Sequence, residues 1–182
     1  MKKQKAILIV CLLIILVLIS GILIAGYKKK RDLKEKDKII ATSKFVITYS
    51  YGGGFGTIAQ TASKEITIDQ DGNITFRAPN YEEIEPVKYK MTKNQAKALY
   101  SILISGGFLD LKEDLSNNDV LDAGSSSIKI ESDNFEKEIG GYAAFTNKKY
   151  AKLTSEIIKD VGEERINDFE EIVIQTLEKS DC

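Results

Sequence analysis

Five carboxylates fall within residues 110–122, a stretch that we interpret as a loop. They are Asp110, Glu113, Asp114, Asp119 and Asp122. Carboxylate oxygens are the ligands that Ca²⁺ prefers in proteins, so one interpretation is a weak Ca²⁺ site on Asp114, Asp119 and Asp122. Its catalytic extension is a hydrolase that works through carboxylates or a divalent cation in this loop. The other interpretation, which we favour, is a solvated acidic loop.

A glycine-rich segment, GGGFGT, begins at Gly52 and follows a predicted strand. Glycines after a strand can hold phosphate through bare backbone amides, but a P-loop needs a helix next and a Gly-Lys-Ser/Thr ending. The following residues, Thr57-Ile58-Ala59-Gln60, have no lysine and lead to more strand-like sequence. We therefore predict a hairpin loop or a recognition loop made of Gly52, Gly53, Gly54, Phe55 and Gly56.

Two further spacings resemble functional motifs without meeting their geometric requirements. Ser126 and Lys129 match the S-x-x-K spacing of serine acyl-enzymes, which place the two residues one helical turn apart. The surrounding isoleucines alternate as in a strand, which separates the two side chains. Residues 69–73 begin like a calcium loop, but an EF-hand needs glycine at its sixth position and glutamate at its twelfth. We interpret both as structural.

The residue types that are missing exclude several classes of chemistry. The chain has no histidine, which excludes Ser-His-Asp and Cys-His catalysis and histidine-ligated metals. Its two cysteines are Cys11, inside an apolar run, and Cys182, the last residue, so they form neither a zinc site nor a disulfide within the domain. Cys182 is either a frayed terminal thiol or a link between two chains. We find no catalytic motif and expect no cofactor.

Charge is distributed unevenly along the sequence. Residues 1–39 carry ten Lys/Arg and three Asp/Glu, a formal +7, whereas residues 40–182 carry a formal −8. An acidic domain argues against a nucleic-acid partner, because phosphates require a positive surface. The basic run Lys28, Lys29, Lys30 and Arg31 suits anionic lipid head groups.

That basic run follows residues 6–26, which contain no charged residue. At ~1.5 Å per residue a helix of this length crosses the ~30 Å hydrocarbon core of a bilayer. A cleaved signal peptide would have an apolar region of ~7–15 residues and a small-x-small cleavage site, so we favour an uncleaved transmembrane helix. We expect a basic tail over residues 1–5, this helix over 6–26, a charged helical stalk over 27–43 and a soluble domain over 44–180.

The orientation of this single-pass anchor follows from two opposing arguments. The larger number of basic residues lies on the C-terminal side of the apolar run, which favours a cytoplasmic domain. A short, strongly basic N-terminal tail is, however, a poor segment to translocate, and long domains cross largely regardless of charge. We expect the domain on the extracytoplasmic side of the cell membrane.

The first part of the domain has the alternation of β-strands. Residues 44–51 place Phe45, Ile47 and Tyr49 on one face, with Tyr49, Tyr51 and Phe55 available either for the core or for an aromatic contact surface. Residues 65–69 and 73–77 alternate on either side of an Asp-Gly pair, which predicts a hairpin. A third strand is predicted over 86–91, and a second hairpin over 127–140.

Helical patterns follow in the second part. Thr92 to Gln95 has the spacing of a capping box, and apolar residues then recur at helical spacing until Gly106-Gly107. Two further apolar stripes run from Tyr150 to Val161 and from Ile166 to Leu177, with another capping box predicted at Asn167. Five or six strands in hairpins and about three helices predict an α+β fold in which helices pack on an antiparallel sheet.

Three segments in succession, SYGGGFGT, ITIDQDGNITF and TKNQAKALYSILISGGFLDL, resemble small secreted or membrane-anchored bacterial and archaeal α+β domains of uncharacterised function. The resemblance covers residues 44–140 and implies a fold, not an activity. We therefore expect a membrane-anchored, non-enzymatic domain that binds or assembles with an unknown protein partner. The alternative is the carboxylate- or cation-dependent hydrolase of residues 110–122.

Overall fold

The computed structural model of the protein describes residues 34–42 and 44–180. The predicted basic tail, transmembrane helix, basic run 28–31 and both cysteines lie outside the described residues. Within the described part, no helix has both the length and the apolar character needed to cross a membrane.

The chain divides into two units after Ala41. In the first unit, residues 34–40 are helical, in agreement with the helix predicted for this part of the stalk. The second unit begins at Thr42 and contains the sheet and the helices that pack on it.

Six antiparallel strands form one sheet in the order β4-β3-β2-β1-β5-β6. The strands are β1 (Phe45–Gly53), β2 (Lys64–Asp69), β3 (Asn73–Arg77), β4 (Val87–Lys90), β5 (Gly124–Ser132) and β6 (Glu136–Tyr142). The helices are α1 (Ile58–Thr61), α2 (Lys93–Ser105), α3 (Lys148–Val161) and α4 (Glu163–Ser180), with short 3₁₀ turns at Phe108–Asp110 and Ala144–Thr146. This confirms the predicted α+β class with an antiparallel sheet.

Alternation of side chains produces one apolar face on the sheet. Ile47 lies opposite both Ile68 and Ile130 on the neighbouring strands, and all three are fully buried. The hairpin predicted between β2 and β3 is present, but its turn has three residues, with Gly72 in the left-handed conformation at φ 83°. The second predicted hairpin joins β5 and β6 through Asp133-Asn134, with Ser132 N–H donating to the Phe135 carbonyl.

The longer helices cover this apolar face. The ring of Tyr100 from α2 stacks on Phe45 of β1 with centroids 4.5 Å apart, and Phe169 of α4 contacts Phe76 of β3 at 5.4 Å. Helix α2 begins at the predicted capping box, in which Thr92 and Gln95 bond to each other's backbone N–H groups.

One helix prediction was wrong, and one short helix was not predicted. Helix α4 begins at Glu163, directly after Gly162, so Asn167 lies inside the helix and caps nothing. The N-cap side chain at the start of α3 is Asn147, which accepts from the backbone N–H groups of Lys149 and Tyr150. The strand-like sequence expected after residues 57–60 is β2, but no helix was predicted before it, and Ile58–Thr61 form α1.

Candidate functional site

The glycine-rich segment lies at one end of the sheet, where β1 and β5 finish their pairing. Strand β1 continues to Gly53, which lies opposite Gly124. Gly53 and Gly54 have φ of 76° and 90°, a conformation that side chains strongly disfavour. A Cβ on Gly54 would lie 3.3 Å from the Gly124 nitrogen and 3.5 Å from the Asp122 carbonyl oxygen. The glycine-rich segment therefore packs directly against the segment that leads into β5.

Large apolar side chains are exposed where these segments meet. Phe55 is 89% exposed and Leu121 is 86% exposed, while Ile58 and Phe145 are 60% and 54% exposed. We call these four residues the apolar tip. Single exposed apolar residues are normal on protein surfaces, but a group of them marks an interaction site.

Helix α1 links the glycine-rich segment to the start of β2, where Lys64 is buried. Thr57 and Gln60 form a capping box at its start, with the same reciprocal bonds as at α2. At its end, Lys64 donates from Nζ to the backbone oxygens of Gln60 at 3.2 Å and Ala62 at 3.1 Å. Lys64 is only 4% exposed, and these two carbonyls compensate its buried charge.

A cavity of about 490 Å³ opens beside the apolar tip, between the end of the sheet and α4. We call it the tyrosine cavity; its lining includes Tyr49, Tyr51, Gln60, Lys64, Phe145 and Glu170. The rings of Tyr49 and Tyr51 stack with centroids 5.2 Å apart, and the Lys64 ammonium lies 5.7 Å from the centre of the Tyr51 ring. Cavities of this size with aromatic walls and a few polar groups are typical binding sites.

Burial and one carboxylate control the electrostatics of the cavity. Burial, and to a smaller extent the Glu170 carboxylate, raise the pKa of Tyr49 to about 12. The same two causes raise the pKa of Tyr51 above its ordinary range. Burial lowers the pKa of Lys64, and Glu170 partly opposes that shift. Glu170 therefore faces both tyrosines and the lysine, and the site favours neutral tyrosines.

The Tyr51 hydroxyl is buried, and among the described residues no group meets it in hydrogen-bond geometry. Native proteins satisfy most buried polar atoms, so an unpartnered hydroxyl needs an explanation. Glu170 raises the pKa of Tyr51 both as a charge and as a hydrogen-bond acceptor, so this carboxylate is the group closest to satisfying the hydroxyl.

The groups in this cavity support binding better than catalysis. The lysine is committed to two backbone carbonyls, and the Ser126 hydroxyl accepts a hydrogen bond from Tyr150 at 3.0 Å. Among the described residues, neither side chain is hydrogen-bonded to a carboxylate, although Glu170 lies close enough to the lysine to influence its pKa. Lys129, the partner of Ser126 in the S-x-x-K spacing, instead bonds Glu136 at 2.8 Å and Glu131 at 3.1 Å on strands β6 and β5.

The acidic stretch is held by backbone bonds to the edge strand β6. Leu115 N–H donates to the Gly140 carbonyl at 2.8 Å, Gly140 N–H donates to the Glu113 carbonyl at 2.9 Å, and Asn117 N–H donates to the Tyr142 carbonyl at 2.8 Å. Residues 113–117 thus run parallel to β6 and cover part of its edge. We call them the edge segment.

The three candidate calcium ligands occupy different positions in and beyond this segment. Asp114 lies opposite Gly140 and accepts from the Ser116 N–H at 2.9 Å; hydrogen bonds from Ser116 lower its pKa. Asp119 donates its backbone N–H to the Asn117 side chain, and Asp122 has φ 56° beside the glycine-rich segment. In the part of the chain that the structure describes, no three acidic or cysteine side chains are grouped for a metal ion.

A larger depression, about 1100 Å³, lies over β1, β5 and β6. Its lining includes serines and glycines of β5 and β6 together with Glu113, Asp114 and Glu138. It is a wide depression that shares Tyr51 with the tyrosine cavity but includes neither Tyr49 nor Phe145. We therefore place the candidate site at the tyrosine cavity and the apolar tip.

Comparison with known proteins adds no relative. No protein-family model matches the chain, and no curated protein matches it. Function must be inferred from the site itself.

Sequence reasoning found part of this site. It singled out Gly52, Gly53, Gly54, Phe55 and Gly56, and the structure places them at the exposed end of the sheet. It did not find Leu121, Phe145, Lys64 or Glu170, which come from four other segments. The one available signal was the Thr-x-x-Gln spacing at Thr57, which marks the start of α1.

Proposed function

We propose that this protein is a non-enzymatic binding or assembly domain that recognises a protein partner through its apolar tip. We further propose that residues 6–26 hold it in the cell membrane, with the domain on the extracytoplasmic side and Lys28, Lys29, Lys30 and Arg31 at anionic lipid head groups.

The observation that carries the proposal is the set of four exposed apolar side chains on segments at this end of the sheet. The two most exposed, Phe55 and Leu121, lie on adjoining segments, and Phe145 lines the tyrosine cavity. Leaving such side chains in water is unfavourable by ~25 cal/mol per Å² of apolar surface, and a partner would remove that cost.

The composition of the site supports a protein partner. Interface centres are typically aromatic or apolar and depleted of charge, with polar groups at the rim. Phe55 and Phe145 provide the apolar contact, while Gln60 and Glu170 offer polar contacts at the cavity. The partner that fits is a protein segment with one apolar anchor side chain flanked by hydrogen-bond donors.

The hydrolase alternative has weaker support. Residues 113–117 form backbone bonds with β6, and this pairing favours a structural role for the acidic stretch. Glu113 and Asp114 line the wide depression over β1, β5 and β6, whereas the lining of the tyrosine cavity contains one acidic residue, Glu170.

Site-specific photo-cross-linking in intact cells tests the proposed interface. A photoreactive residue replaces Gln60 at the rim of the cavity, or Lys88 on β4 as the control. We expect a discrete adduct from position 60 only, and we expect Phe55→Ser combined with Leu121→Ser to remove it.

Equal adducts from both positions, or adducts insensitive to the double substitution, would contradict the proposal. The substituted protein must retain its thermal unfolding midpoint, which we expect because substitutions at exposed positions usually change stability by less than about 0.5 kcal/mol.

Protease treatment of intact cells tests the proposed orientation separately. An extracytoplasmic domain is digested in intact cells, whereas a domain that is cut only after lysis lies on the other side. This result does not depend on the partner.

A further inference from the structure

The outward surfaces of the three long helices carry charges of opposite sign. The exposed lysines of α2 and α3 are Lys93, Lys97, Lys148, Lys149, Lys152 and Lys159. The acidic residues of these two helices, Glu156 and Asp160, are half-buried. Helices α2 and α3 therefore have a formal charge of +4 in a region whose total charge is negative.

Helix α4 has the opposite character. It contains six acidic residues and two basic ones, a formal −4, with Glu163, Glu164, Asp168, Glu171 and Glu178 exposed. Because α2 contacts α3 and α3 contacts α4, the three helices form one layer. One side of that layer is thus basic and the other acidic.

Each charged surface also contains one exposed isoleucine. Ile102 on α2 and Ile172 on α4 are both 40% exposed. Lys97, Lys148 and Lys152 take part in no ion pair among the described residues, so these charges are available to a partner. A surface with an apolar centre and charges of one sign fits a surface with the opposite sign.

We infer that the basic surface of α2 and α3 binds the acidic surface of α4 in a second copy of this chain. The helices that form the two surfaces have net formal charges of +4 and −4, and they belong to the same molecule, which supports self-association over an unrelated partner. Such a contact joins different surfaces of the two copies, so each copy can bind two neighbours and extend a row or close a ring. This interface is separate from the apolar tip.

Charge reversal on each surface tests this inference with the full chain in a non-ionic detergent. The basic-surface variant combines Lys148→Glu with Lys152→Glu, and the acidic-surface variant combines Asp168→Lys with Glu171→Lys. The control combines Lys44→Glu with Lys88→Glu, exposed lysines outside the helix layer, and changes the net charge by the same amount as the basic-surface variant. Sedimentation velocity measures self-association.

We expect the natural protein to self-associate at about 0.1 M salt and to dissociate at about 1 M, as the Debye length falls from about 10 Å to about 3 Å. Each surface variant should associate at least about tenfold more weakly, an energy of about 1.4 kcal/mol. An equimolar mixture of the two variants should associate again, because the acidic surfaces of one then meet the basic surfaces of the other. The control should behave like the natural protein.

Three results would overturn the inference: a natural protein that is monomeric at both salt concentrations, a mixture that does not regain association, or a control that fails like the variants. Association that depends on the lysines but is unchanged by the acidic-surface variant would also overturn it, and would indicate an anionic lipid or another anionic partner for α2 and α3.

Discussion

The glycine-rich segment and the edge segment lie at opposite sides of β5 yet are held in different ways. Residues 52–56 are four glycines and one phenylalanine, and the side chain of Phe55 is almost fully exposed. Residues 113–117 expose their acidic side chains too, but their backbone is fixed by hydrogen bonds to β6.

The difference shows that composition alone does not identify which loop is available to a partner. An acidic stretch suggests ligand binding, and a glycine-rich stretch suggests flexibility, but backbone pairing decides the outcome here. Covering the edge of β6 also blocks pairing with a strand of another chain. The edge segment is thus a protective part of the sheet, while the apolar tip is the surface left open.

The largest loss in the free energy of unfolding is expected from Gly140→Ala, a substitution in β6, the strand to which the edge segment is hydrogen-bonded. The new Cβ would collide with the Ser126 carbonyl oxygen and lie 2.6 Å from the Ser127 Cβ. We expect a loss of about 3 kcal/mol in the free energy of unfolding, from overpacking. Urea unfolding of the full chain in detergent measures it.

Gly53→Ala is the matched control in the glycine-rich segment. Its Cβ would have no neighbour closer than 3.8 Å. The expected loss in the free energy of unfolding is therefore about 1 kcal/mol, which comes only from placing a side chain on a residue with φ 76°. If the two variants lost equal free energy of unfolding, the room available for a Cβ would not explain the difference between β6 and the glycine-rich segment.

A smaller effect is expected when the residues that lead into the edge segment lose a side-chain contact with β6. Lys137 donates from Nζ to the carbonyl oxygens of Leu109 at 2.8 Å and Leu111 at 2.6 Å. Lys137→Met keeps the aliphatic stem but leaves both carbonyls unpaired, which should cost about 2 kcal/mol. Amide hydrogen exchange at Leu115 and Asn117 should accelerate.

Lys129→Met provides the comparison on β5. This lysine bonds Glu136 and Glu131 at the surface, so its loss should cost at most about 1 kcal/mol and leave exchange at Leu115 unchanged. If both lysine variants accelerate exchange equally, the edge segment is not held by Lys137.

Beneath the apolar tip, stability should depend on pH in the alkaline range. Burial raises the pKa of Tyr49 to about 12 and also raises those of Tyr51 and Tyr150. The folded state therefore keeps these protons when the unfolded state loses them, and their stabilising contribution is complete below pH about 10 and declines as pH rises toward 12. Lys64, whose pKa burial lowers, acts in the opposite direction.

Tyr51→Phe should move the alkaline unfolding midpoint to higher pH, as followed by tyrosinate absorbance and circular dichroism. Tyr81→Phe, in the connection between β3 and β4, should leave it unchanged. An unaltered midpoint for Tyr51→Phe would mean that ionisation of Tyr51 does not control the stability of the fold at alkaline pH.

Most of the fold could be predicted because its elements have periodic sequences. Ile66 and Ile68 alternate with polar residues and face Phe76 and Ile74, so a period of two identified β2 and β3. The capping box at Thr92 marked the start of α2 because its two hydrogen bonds are local.

The parts that sequence reasoning missed depend on contacts between distant residues or on very short elements. Helix α1 has four residues, too few to show a helical period. The pairing of residues 113–117 with β6 uses backbone atoms and leaves no side-chain pattern. Lys64 and Glu170 share a cavity only because α4 returns to the end of β1, which no local pattern predicts.

The smallest effect is expected from calcium at the acidic stretch. Asp114 already accepts the Ser116 N–H, and Asp119 and Asp122 belong to separate turns, so assembling a site would require breaking local bonds. We expect the thermal unfolding midpoint to be equal with Ca²⁺ and with EDTA. A calcium-dependent increase that Asp119→Asn and Asp122→Asn together abolish would contradict this. It would turn the edge segment from a protective element into a ligand site and would revive the hydrolase alternative, because a bound divalent cation can activate water.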